Sequence, residues 1–177
     1  MKPYLRELLI TLALAAVIFI ALRLVIQSSE VFDISMQPTL IAGQRLIVIK
    51  TFFSPQRGDI IVVYPPMENT RQYVKRLIGL PGDTVEIHGG KVYVDNVALV
   101  EPYIKAEPAY TMSTVTLGPD QYFVLGDNRN NSTDSHFGWT VTRAEIVGKA
   151  WLRFWPLDKF GNPGSYNIGS ELQSVAK

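Results

Sequence analysis

The pattern of apolar and polar positions divides the chain into two unlike parts. From Leu8 to Leu22 nearly every residue is apolar, and beyond Arg23 the run continues through Leu24, Val25 and Ile26. No polar face recurs at helical spacing, so the segment is not the amphipathic helix of a soluble core. A membrane-crossing helix needs about 20 largely apolar residues, against about 7–15 for the apolar heart of a removable secretory signal. Residues 8–27 are therefore read as a transmembrane signal anchor that stays attached, because the next informative stretch follows too closely to leave room for cleavage. Arg23 can lay its stem along apolar surroundings and carry its charge to the interface. Lys2 and Arg6 favour a cytoplasmic N-terminus, residues 1–7, with the bulk of a single-pass protein on the extracytoplasmic side, periplasmic or lumenal.

After the anchor the pattern changes to short apolar runs broken by turns. Arg45–Lys50, Asp59–Tyr64 and Tyr73–Leu80 read as strands, the second closed by Pro65-Pro66 and the third by Pro81-Gly82-Asp83. Thr84–His88 and Lys91–Val94 flank Gly89-Gly90, a two-residue hairpin signal. Thr114–Leu117 is a further candidate, Tyr122–Leu125 is short and apolar, and Ile146–Trp155 reads as a final strand stopped by Pro156. Gly126–Gly138 is a polar loop, and the polar, glycine-containing tail after Leu157 is expected at the surface. Many short strands with frequent turns predict a mainly β, barrel-like or sandwich body behind the N-terminal helix.

Composition narrows the chemistry. The chain has 177 residues and a formal net charge of +1, which gives no basic excess for a nucleic-acid partner. It has no cysteine, which excludes disulfides and thiolate catalysis, and two histidines, His88 and His136, too few for a multi-histidine metal site. No metal or other cofactor is implied.

The candidate chemistry is a hydroxyl and an amine. Ser35 lies just past the anchor, and Lys75 sits in the apolar strand Tyr73–Leu80. A serine hydroxyl is a weak nucleophile until a base removes its proton. An amine with an ordinary pKa of about 10.4 serves only if burial lowers that value. Alternation along a strand puts Lys75 on one face with Tyr73 and Leu77, an apolar wall suited to that effect. Each residue alone has a plainer reading, Ser35 as a turn or cap hydroxyl and Lys75 as a solvated strand lysine. The loop Gly126–Gly138 is dense in hydrogen-bonding side chains and is costly to order unless they satisfy one another; its plainer reading is an exposed turn.

Four segments together resemble the bacterial type I signal peptidases, membrane-anchored Ser/Lys endopeptidases. Ser35-Met36-Gln37-Pro38-Thr39-Leu40 is similar to their nucleophile segment, Arg57-Gly58-Asp59-Ile60-Ile61-Val62 to a second, and Tyr73-Val74-Lys75-Arg76-Leu77-Ile78-Gly79-Leu80-Pro81-Gly82-Asp83 to their lysine segment. Gly126-Asp127-Asn128-Arg129, with Ser132, Asp134, Ser135 and Gly138, resembles the fourth. The resemblance implies Ser35 as nucleophile, Lys75 as general base and Ser132 as the hydroxyl that orients the amine. It implies Asp134, Arg76, Asp127 and Arg129 as supports of the site, with Asp134 paired to Arg76. It further implies Met36, Leu40, Tyr73 and Val74 as the lining of shallow pockets for small substrate residues, and the Ser35 N–H as a donor to the oxyanion. The partners it implies are secretory preproteins and the lipid bilayer, with cleavage after Ala-x-Ala.

The same resemblance implies a catalytic β domain from 28–82 and 121–160, a small inserted hairpin cap at 83–120 and a tail at 161–177. Two positions depart from the family pattern. His136 stands where the family closes its last segment with arginine, so Asp134 is expected to lean on Arg76 with His136 as a weaker partner. Asp33, two residues before Ser35, stands where some members have a serine that donates to the oxyanion; a carboxylate only accepts, so Asp33 is expected to point away or another donor to be used. Three other functions compete: a cytosolic Ser/Lys protease of the SOS-repressor type, which the anchor disfavours; an inactive tethered β module that binds exported chains, which the intact Ser35, Lys75 and Ser132 disfavour; and a solute-binding or scaffold β domain.

Overall fold

A computed structural model describes residues 3–68 and 70–168. The apolar run forms one helix, α1 (Pro3–Val25), whose side chains are exposed along Tyr4–Leu24. A helix apolar all round and exposed along its length is consistent with a membrane anchor. It ends two residues earlier than the predicted anchor, because Ile26 and Gln27 already belong to β1 (Ile26–Glu30), which pairs antiparallel with β2 (Arg45–Ile49). Lys50 fixes the junction, its N–H donating to the Val25 carbonyl at 2.8 Å and its Nζ to the Arg23 carbonyl at 2.7 Å.

The body is an antiparallel six-stranded sheet in the order β1-β2-β10-β3-β4-β9, where β3 is Ile60–Val63, β4 Tyr73–Gly79, β9 Phe123–Leu125 and β10 Ile146–Trp155. Apolar side chains cover both faces. Leu46, Val48, Ile60, Val62 and Val74 pack on one side, and Ile61, Val63, Leu77 and Val124 on the other. That is why β3 reads as an unbroken apolar run and not as an alternation. The expected barrel-like closure is not seen: among the described residues β1 and β9 remain edges and no sheet closes.

The β9 edge is covered by the polar loop. The outward N–H of Val124 donates to Ser135 Oγ at 3.0 Å, and that of Gly126 to an Asp134 carboxylate oxygen at 2.8 Å. Side chains thus take the hydrogen bonds that another strand would have taken. The insert is larger than the single hairpin expected. β5 (Thr84–His88), β6 (Lys91–Val94), β7 (Val97–Ala98) and β8 (Met112–Thr116) form a four-stranded sheet, which shares a core with Ile78, Phe123 and Leu125. The tail also differs from expectation as far as 168. The Tyr166 N–H donates to the Gly58 carbonyl, and Ile168 is buried in the core beneath the insert. Residues 169–177 of the predicted tail, and residues 1 and 2, lie outside the described residues.

Candidate active site

β4 is the platform of the site. Its alternation puts Lys75 and Leu77 on one face and Val74 and Arg76 on the other, as the sequence pattern predicts. Lys75 Nζ lies 5.4 Å from the centre of the Tyr73 ring, which confirms the shared face. Lys75 is 1 % exposed, so its amine meets protein in place of water. Nζ stands 2.7 Å from Ser35 Oγ and 3.1 Å from Ser132 Oγ. Burial lowers the Lys75 pKa from its ordinary value, against the opposing pull of the Asp134, Asp33 and Asp127 carboxylates. Among the described residues, these three carboxylates are the charged groups acting on the amine.

Ser35 is delivered by the turn after β1 and held from the far side of the site. Its carbonyl accepts the Asn128 N–H at 2.8 Å, and the Ile34 carbonyl accepts Asn128 Nδ2 at 3.1 Å. The Thr39 hydroxyl donates to Asp127. The polar loop and the Ser35 turn approach so closely at Gly126 that a Cβ there would run into Ser132 Oγ and the Ser35 carbonyl. Only glycine fits that position.

Arg76 lies directly behind Lys75 with no exposed surface. Its guanidinium grips Asp127 with two parallel bonds of 2.8 and 2.7 Å and also donates to the Gly58 and Gly164 carbonyls. It stacks over Tyr103 at 3.9 Å from the ring centre. This corrects the expected Arg76–Asp134 pair. Arg76 is in register with Leu125 on β9, so the alternating side chain two residues on is Asp127. Asp134 instead accepts the Gly126 N–H, and its other oxygen meets His136 Nδ1 at 2.6 Å. His136 is therefore the close side-chain partner of Asp134, not a weaker second one.

Arg129 is also fully enclosed, forked onto Glu101 of the insert by two bonds of 2.6 Å. Gly58 explains part of the second segment. Its φ is +84°, and a Cβ there would occupy the Tyr166 carbonyl. Arg57 pairs with Asp83 at the end of the lysine segment, and Asp59 pairs with Lys149 of β10 at 2.6 Å.

A cleft of about 1000 Å³ opens over Ser35 and Lys75, with Asp33, Tyr73 and Ser132 also in its walls. Tyr73 is the one predicted pocket residue among those walls. Met36 and Leu40 have no exposed surface and Val74 is buried with them in the core below, so the expectation that these three line the cleft is not met. The cleft also has walls that sequence reasoning missed: Tyr110 and Phe137, whose rings pack on His136 with centroids 4.1 and 4.0 Å from it. No spacing signal ties Tyr110, in the insert, to the polar loop. Nor does Asp33 point away: one of its carboxylate oxygens accepts the Ser35 N–H at 2.9 Å and the Ser35 hydroxyl at 2.7 Å.

The family model described as "Signal peptidase, peptidase S26" matches residues 4–155. A signal peptidase I of Leptolyngbya laminosa is 41% identical over 165 residues, covering 87% of this chain and 81% of that protein. A signal peptidase I P of Bacillus subtilis subsp. natto is 41% identical over 139 residues, 71% of this chain and 75% of that protein. Among solved structures, a signal peptidase I from Enterococcus faecalis V583 is 34% identical with a TM-score of 0.48, over 56% of this chain and 98% of that chain.

Proposed function

The chain belongs to the peptidase S26 family of signal peptidases, and from that premise we propose that it removes signal peptides with Ser35 as nucleophile and Lys75 as general base. The observation that carries the reading is the 2.7 Å contact between Lys75 Nζ and Ser35 Oγ, both enclosed by protein. A neutral amine at that distance accepts the serine proton as Oγ attacks the scissile carbonyl. The tetrahedral intermediate collapses when the ammonium returns the proton to the leaving amine. Water, activated by the same amine, then hydrolyses the acyl-enzyme. Ser132 orients Nζ, while Asp127, Arg76, Arg129 and Asp134 hold the loop that bears Ser132 and Asn128.

The substrates are secretory preproteins, cut after small residues in an Ala-x-Ala pattern, as the resemblance of the nucleophile and lysine segments implies. Helix α1 spans the bilayer with residues 1–7 in the cytoplasm and the catalytic body outside. The chain from Val25 to Ser35 reaches at most about 35 Å, which keeps the dyad near the interface where a membrane-tethered preprotein emerges. Exposed Phe52, which follows β2 at the end adjoining the helix, supports contact with lipid on that side.

The test is cleavage of a preprotein by detergent-solubilised protein. Ser35→Ala and Lys75→Ala abolish it with the fold retained, and so does Lys75→Arg, since a guanidinium does not give up its proton in proteins. Substantial cleavage by either alanine variant removes the dyad from the mechanism.

A further inference from the structure

The Ser35 N–H is the backbone donor best placed to hold the oxyanion, because it belongs to the attacking residue itself. In the structure that donor is engaged by Asp33, whose same oxygen also accepts the Ser35 hydroxyl. A carboxylate has no hydrogen to give, and its charge repels an oxyanion formed beside it. The serine hydroxyl has one hydrogen. While it is directed at Asp33, Lys75 Nζ, 2.7 Å away on another side, can only donate to Ser35 Oγ and cannot receive its proton. One carboxylate oxygen therefore blocks both halves of the attack. Asp33 is also exposed, between exposed Phe32 and Ile34, so its side chain can turn into water without opening the core.

Resting on the Ser35–Lys75 reading, we propose that Asp33 is a displaceable latch on the nucleophile: the scissile carbonyl evicts it, which frees the Ser35 N–H for the oxyanion and the Ser35 hydroxyl for Lys75. Asp33 does not touch the reacting atoms during turnover. It holds the resting turn and must leave for attack. A side chain that only braces the turn makes the same two bonds, and the two roles separate in kinetics: a brace, when removed, lowers rate or stability, whereas a latch, when removed, raises rate.

The experiment compares full-length Asp33→Ala and Asp33→Ser with wild type in detergent, measuring kcat and KM for a preprotein and inhibition by a peptide aldehyde ending in Ala-Lys-Ala. The aldehyde forms a hemiacetal: the bond from Ser35 Oγ to its carbonyl carbon forms, the carbonyl electron pair moves to oxygen, and the serine proton passes to Lys75. It therefore reads the oxyanion site directly. The expected result is a rise in kcat of about tenfold, below the roughly 10²–10³ that a whole oxyanion donor is worth because the latch is displaceable, with KM changed less than about twofold and aldehyde binding tightened by about tenfold. An unchanged or lower kcat in folded variants overturns the latch, as does unfolding of both variants, which makes Asp33 a structural cap. Activity surviving in Ser35→Ala or Lys75→Ala sinks the dyad instead, so the two failures are distinguishable.

Discussion

Arg76 and Asp127 face each other as a parallel two-bond fork, and neither side chain has any exposed surface. The fork joins the strand that carries Lys75 to the loop whose next residue, Asn128, holds the Ser35 carbonyl. Lys75 and Ser35 come from segments far apart in the chain, and this buried pair is one of the ties that fix the distance between them.

Breaking the fork from either side leaves a buried charge without its partner. Asp127→Ala and Arg76→Ala should each lower stability by about 3–5 kcal/mol, whereas a paired Arg76→Met, Asp127→Leu replacement should cost much less. Equilibrium urea unfolding in detergent checks this. Asp134→Asn should leave the fork intact and cost less than either alanine variant. If Asp134→Asn proves the more damaging, the assignment of Arg76 to Asp127 is wrong.

The lowered pKa of Lys75 has two consequences with pH. Below the folded-state value the amine is charged and does not act as a base, so kcat/KM should rise as pH climbs through it and then level. For stability, the unfolded chain holds the lysine proton up to the ordinary value of 10.5 and the folded chain loses it earlier. Between those two values the unfolded state binds more protons, so the contribution of Lys75 to stability rises with pH. Lys75→Met should therefore be inactive, more stable than wild type at neutral pH, and progressively less advantaged as pH approaches 10.5. Parallel denaturation curves across pH for the two proteins test the sign, since the other titrations cancel in the difference.

The strands and the closeness of Lys75 to Ser35 are legible in the sequence for different reasons. Thr84–His88, Lys91–Val94 and Ile146–Trp155 have the observed limits because alternation and turn residues mark them locally. Lys75 was placed on a face with Tyr73 by the period of a strand alone. β1 is hidden in the sequence, because Ile26 closes an apolar run that already satisfies a helix, and only pairing with β2 makes Ile26 and Gln27 part of a strand. The partner of Arg76 was misassigned because two aspartates stand in one loop, and the register of β4 on β9 chooses between them. That Arg129 reaches across to Glu101 in the insert depends on tertiary packing with no local signature.

Two changes near Lys75 separate orientation from packing. Ser132→Ala removes one hydrogen bond to the amine, at 3.1 Å, and should lower kcat by about 10–100-fold with little change in KM or melting temperature. Gly126→Ala adds one methyl where there is no room, and it should push Ser132 and the Ser35 carbonyl apart. Overpacking of this kind costs about 1–3 kcal/mol, so a fall in stability should accompany the fall in rate. A Gly126→Ala enzyme with wild-type activity would contradict the close approach of loop and nucleophile turn.

The abrupt change from helix to strand at Val25–Ile26 sets where the chain can be cut. Helix α1 is exposed from Tyr4 to Leu24, so its removal takes little apolar contact from the body, while β1 contributes the whole edge pairing with β2 through five residues, Ile26–Glu30. A chain beginning at Ile26 should therefore fold, cleave a soluble peptide substrate at a rate close to that of the full protein in detergent, and lose most of its association with lipid vesicles. A chain beginning at Val31 loses the β1–β2 ladder just ahead of the turn that delivers Ser35. It should lose at least about 2 kcal/mol of stability, roughly 4–8 °C in Tm for a body of this size, and its activity should fall further than its stability. The turn would then be tethered on one side only, and Ser35 would spend less time at 2.7 Å from the amine. Equal activity in the two truncations would mean that the nucleophile is held by the Asn128 contacts alone and that β1 serves only to lead the chain away from the anchor.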